Sequence, residues 1–108
     1  MAEVIWSYRS IKDIHEIAFH ISKDSFQYAT EYVKLFFERV KVLETHPYFG
    51  RPVPELATNS IRQLLCDRYR IIYEVINTNK IGIITVHHQS RLLEHNPAIK
   101  KLYRKKKK

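Results

Sequence analysis

Only one cysteine, Cys66, occurs in the 108 residues. A lone thiol excludes an internal disulfide and the multi-cysteine zinc sites, fits a reducing compartment, and sets the expectation of a cytoplasmic protein. Glycine is almost as scarce, at two residues, too few for either common glycine-rich phosphate loop, so no nucleotide cofactor is expected. No apolar run approaches the ~20 residues of a membrane span, and Met1-Ala2-Glu3-Val4 lacks a basic-then-apolar opening, so no membrane role is expected. Acidic residues are missing from one stretch: beyond Glu94 there are none, while Lys100, Lys101, Arg104 and Lys105 to Lys108 supply seven of the positive charges.

What is present balances differently. The chain is 44% hydrophobic and 28% charged, the composition of a globular domain rather than a disordered one. Residues 1–99 carry a net charge of only +1 out of the total +8. We therefore expect a single domain over 1–99 followed by a basic tail, 100–108. A solvated run of like charge repels itself and is expected to be disordered; the alternative is an arm that contacts nucleic acid through phosphates.

Apolar periodicity orders the elements. Val4, Ile5 and Trp6 read as a short strand, and Ser7 offers a helix N-cap. Ile11, Ile14, Ile17, Ala18 and Ile21 then form one helical stripe, with Lys12, Asp13, Glu16 and Lys23 outside it. Asp24 and Ser25 break that helix and cap a second, whose stripe is Ala29, Tyr32, Val33, Phe36, Val40 and Leu43. Pro47, Gly50, Pro52 and Pro54 pin an extended loop over His46 to Ser60. Three β-rich runs follow, Ile61 to Cys66, Tyr69 to Ile76 and Ile81 to His88, joined by links short enough to require antiparallel pairing. The expected fold is α+β, β-α-α-β-β-β: a twisted antiparallel sheet with a helical hairpin on one face. Ala98, Ile99, Leu102 and Tyr103 suggest one more helical turn after Pro97.

Chemistry-bearing residues are few. His87 and His88 point to opposite faces of a strand, and His15 and His20 are poorly spaced for chelation, so no metal is expected. Cys66 reads as a small core residue. By period two, Tyr69, Ile71, Tyr73 and Val75 share the face that seats the helices, while Arg70, Ile72 and Glu74 share the other, expected to be open. Arg62 lies on the preceding strand, and His88, Arg91 and His95 lie where the last strand leaves the sheet. Guanidinium groups on an open face suit phosphate or carboxylate recognition; the alternative is an ion-pair ladder between Arg70 and Glu74.

Four segments in register resemble the RelE/ParE superfamily of type II toxins: Val4-Ile5-Trp6-Ser7, Phe49-Gly50-Arg51-Pro52-Val53-Pro54-Glu55-Leu56, Tyr69-Arg70-Ile71-Ile72-Tyr73-Glu74-Val75 and Val86-His87-His88-Gln89-Ser90-Arg91-Leu92-Leu93. The resemblance implies a bacterial toxin neutralised by a cognate antitoxin, with Arg70, Glu74, Arg91, Tyr28 and Phe37 as target- or antitoxin-binding candidates. Its ParE-like branch, which the loop and the His88-x-x-Arg91 exit resemble more closely, implies inhibition of DNA gyrase without catalysis. Its RelE-like branch implies metal-independent cleavage of mRNA on the ribosome, for which Arg70, Arg62, His88, Arg91 and His95 would be the catalytic set. That set is partial, since Arg62 and Gln63 stand where the ribonucleases carry a lysine pair. A third reading is a non-toxic member that binds antitoxin and DNA as a co-repressor.

Overall fold

The computed structural model describes residues 1–106. Strand β1 (Glu3–Trp6) leads into helices α1 (Tyr8–Ser22) and α2 (Phe26–Val40), and a 3₁₀ turn (Lys41–Glu44) ends the hairpin. After the proline-rich loop come a two-residue strand β2 (Arg51–Pro52), β3 (Ile61–Cys66), β4 (Tyr69–Asn77) and β5 (Lys80–His88). A second 3₁₀ turn (Leu93–His95) precedes helix α3 (Pro97–Lys106). Both hairpin helices begin where a serine can cap: Ser7 Oγ accepts from Ser10 N at 3.0 Å, and Ser25 Oγ accepts from Tyr28 N at 3.1 Å.

The sheet order is β1-β5-β4-β3-β2. The three long strands form the expected antiparallel meander, but β1 joins β5 in parallel, so the sheet is mixed. Ala29, Phe36 and Val40 of α2 and Ile14 of α1 are buried. Phe36, Val40 and Ile14 pack in a core with Tyr69, Ile71, Tyr73, Val75, Ile81 and Ile83, as the alternation along the strands requires. Asp13, expected outside the α1 stripe, is buried as well.

The second face departs from expectation. It is not open: Val53 and Leu56 of the loop, Leu93 and Ile99 cover Ile61 and Ile72, with Ile84 and Leu102 at the margin. Ile61 and Ile72 are the reason, since a sheet face carrying buried isoleucines needs a second layer. The single helical turn expected after Pro97 is the ten-residue α3. The boundary drawn at residue 99 falls within that helix, on a fully buried Ile99. Lys107 and Lys108 of the basic tail lie outside the described residues. No helix among the described residues is long and apolar enough to cross a membrane.

Candidate functional site

Register separates the residues that the sequence groups together. Arg70 pairs with His87 and Leu65, placing it on the second face. His88 pairs with Tyr69, and Arg62 with Tyr73, both on the helix-covered face. A strict period-two count along β5 would carry His88 to the side of Arg70. One extra residue, Ile84, intervenes between the pairs Tyr73–Ile83 and Ile72–Thr85, and this bulge reverses the phase. Arg70 and His88 therefore flank the sheet from opposite sides.

Arg70 is also fully engaged. Its Nη1 and Nη2 donate to the two carboxylate oxygens of Glu55 at 2.9 and 2.8 Å, and its Nε donates to Gln63 Oε1 at 2.8 Å. With its side chain 12% exposed, it clamps the loop onto β3 and β4 and is not an open guanidinium. Glu55, rather than Glu74, is its partner. Arg62 is similarly held: Nε donates to Gly50 O at 2.8 Å, Nη1 donates to Asn59 O at 3.0 Å, and the guanidinium lies over the Tyr48 ring.

The Arg70 hydrogen bonds hold the Glu55 carboxyl below its ordinary value of 4.5, against an opposing effect of burial. A depressed folded-state value means that the stabilisation is complete above pH 4.5 and disappears as pH falls through the folded value. We expect the urea midpoint of the native protein to drop across that acid interval more steeply than that of Glu55→Gln. Identical acid slopes in the two proteins would refute the clamp.

A concavity lies elsewhere, a groove of about 900 Å³ along the free edge of β5. It exists because β1 pairs only with Lys80 to Ile83, leaving the later residues of β5 without a strand neighbour on that side. Side chains of the α1 segment satisfy that edge instead: Ser7 Oγ donates to Ile84 O at 2.8 Å and Asp13 Oδ2 accepts from Val86 N at 3.0 Å. Arg9, Arg68 and Arg91 line the groove with His88 and His95, and Tyr28 stands at its α2 side. Three of the five catalytic candidates, His88, Arg91 and His95, thus share one cavity, which Arg70 and Arg62 do not line. Phe37 is apart from it, tilted against Trp6 at a 4.7 Å centroid separation. Arg9 and Arg68 carry no signal in the sequence that would group them with this set. Arg68 sits in the β3–β4 turn, where the pattern marks it only as a hairpin residue.

The groove's hydrogen bonds restrict its chemistry. His88 packs edge-on against Tyr69, and its Nδ1 accepts from Ser90 N at 3.0 Å. The Tyr32 hydroxyl donates to Asp67, which with burial pushes its ionisation well above the usual phenol range. Burial also raises Tyr69, the nearby Asp67 adding to it, and burial raises the Cys66 thiol against the pull of Arg39. Neither phenol is poised as a base at neutral pH. What remains is a concave surface of mixed charge, Arg9, Arg68 and Arg91 beside Asp13, Glu16, Asp24 and Asp67, with Arg9 paired to Asp13; it is suited to binding charged or hydrogen-bonding partners.

A family model described as the ParE toxin of the type II toxin–antitoxin system, parDE, matches residues 4–93. The chain belongs to the ParE toxin family. A solved structure titled "Chromosomal ParDE TA system from P. aeruginosa" resembles it with a TM-score of 0.68 and 20% identity, over 82% of this chain and 96% of that one. At that identity the likeness establishes the fold. No curated protein matches the chain by sequence. Residues 94–106, including all of α3, lie beyond the segment matched by the ParE toxin model.

Proposed function

We propose that this ParE-family chain is a growth-inhibitory toxin that acts on DNA gyrase and is neutralised by a cognate antitoxin. The observation that carries this reading is the separation of Arg70 from His88 by the thickness of the sheet, with Arg70 held by Glu55 and Gln63. RNA cleavage by the set the resemblance implies would need Arg70 and Arg62 to converge with His88, Arg91 and His95 on one phosphate, and Arg70 and Arg62 are held away from the groove. Binding to a protein target needs only a complementary surface, and the groove with exposed Arg68 and Arg91 offers one. The same arginines suit an acidic antitoxin segment that orders on contact. Exposed Phe19 and Phe26 on the hairpin offer apolar anchorage for such a segment.

In a supercoiling assay with purified gyrase and relaxed plasmid, the protein is expected to block supercoiling, and adding the antitoxin to restore it. Undiminished supercoiling at excess toxin rejects the gyrase target. Cleavage of ribosome-bound message would select the ribonuclease reading instead, and harmless overexpression without antitoxin would select the co-repressor.

A further inference from the structure

The last helix has a chemistry of its own. From Pro97 to Lys106 it holds Lys100, Lys101, Arg104, Lys105 and Lys106 and no acidic residue. It is fastened at its base. Asn96 Oδ1 accepts from Ala98 N at 3.0 Å and caps the helix, while its Nδ2 donates to Thr85 Oγ1 and to His87 Nδ1, both at 3.1 Å. The His87 ring is fixed in turn, its Nε2 donating to Arg91 O at 2.9 Å. Ile99 is fully buried against the second sheet face and Leu102 packs beside it, while Lys100 and Lys101 are exposed. The basic run that supplies most of the chain's excess positive charge therefore begins on a helix with a set orientation.

We propose that α3 is a DNA-binding element that docks on the phosphate backbone of duplex DNA without reading its sequence. A basic amphipathic helix commonly meets a lipid surface, an acidic protein groove or a nucleic acid. A protein groove takes such a helix by its apolar face, which here is already packed on the chain's own sheet. Lipid insertion needs a free apolar stripe, and Ile99 and Leu102 are turned into the protein's own second core. Single-stranded nucleic acid is held by a run of aromatic stacking platforms, and α3 carries one aromatic residue, Tyr103. A helix with basic side chains fits the width of the B-form major groove, whereas the A-form major groove is too narrow to admit it. The proposal is independent of the gyrase reading, because it concerns residues outside the family-matched segment.

The test is the binding of the full chain to a fluorescent duplex of about 20 base pairs, followed from about 50 to 200 mM salt. Lys100→Gln combined with Lys101→Gln alters two exposed positions, and circular dichroism checks that the fold is kept. Removing one phosphate-bound cation flattens the slope of log K against log salt by about 0.9, so the double variant is expected to flatten it by about 1.8. The matched variant Lys12→Gln with Lys34→Gln, exposed on the hairpin, is expected to leave the slope unchanged. Equal flattening by both pairs, or no binding by the parent chain, overturns the proposal. So does tighter binding to single-stranded RNA of equal length or to phosphatidylserine vesicles.

Discussion

Gly50→Ala is expected to destabilise the protein by about 3 kcal/mol or more, the upper range of overpacking effects. Backbone strain is not the cause, since no glycine here has a positive φ. A Cβ at Gly50 would sit 2.5 Å from the main-chain oxygen of Gln63 and 2.7 Å from the Tyr73 hydroxyl. Gln63 O belongs to β3, paired here with Arg51, so relief requires the β2–β3 pairing to open rather than a side chain to turn. Displacement would also break a relay: Gly50 N donates to the buried Tyr73 hydroxyl at 2.9 Å, which donates to Pro47 O at 3.0 Å, while Gly50 O holds Arg62. Gly82→Ala is the control, because its nearest neighbour is the Ile76 Cδ1 at 3.5 Å, an ordinary van der Waals approach. Urea unfolding at unchanged m-value should therefore separate the two variants by about 2 kcal/mol or more. Equal midpoints would contradict this account of the loop.

Asp13→Ala is expected to lose about 3 kcal/mol, the scale on which breaking a buried charged network acts. Its carboxylate accepts from Val86 N and from the Thr85 hydroxyl, and faces Arg9 Nε at 3.2 Å. Alanine leaves the edge N–H, the hydroxyl and the partly buried guanidinium without that acceptor. Asp13→Asn keeps an oxygen for Val86 N and should lose about 1 kcal/mol. Thermal or urea unfolding of both variants checks the order; an asparagine variant as unstable as the alanine one would place the whole effect in the charge.

Asp13 also shows where sequence reasoning stops. The helical period correctly places Ile14, Ala29, Phe36 and Val40 inward, and strand alternation correctly seats Tyr69, Ile71, Tyr73 and Val75 against the helices. A polar residue off the apolar stripe carries no sign that an unpaired strand edge will need it. The second layer is hidden for a related reason. Val53 and Leu56 sit among prolines with no period, and Ile99 begins a segment dominated by its lysines. Both reach the face of Ile72 only through the chain's overall path. Glu55, from the same loop, is not recognisable as the partner of Arg70 for that reason. The bulge at Ile84 has no proline to announce it, and one inserted residue is enough to move His88 away from Arg70. The candidate site is thus half legible: His88, Arg91, His95 and Tyr28 meet in the groove, whereas Arg70 and Arg62 fasten the loop.

If the groove along β5 engages the target, its arginines and not the face of Arg70 should control potency. Gyrase supercoiling titrated with Arg68→Ala/Arg91→Ala is expected to need at least about tenfold more toxin for half-inhibition, equivalent to about 1.4 kcal/mol of binding free energy. Leu65→Ser alters an exposed residue paired with Arg70 and should match the native titration. Native potency in the double arginine variant, with potency lost in Leu65→Ser, would contradict the account and return the binding surface to the other side of the sheet.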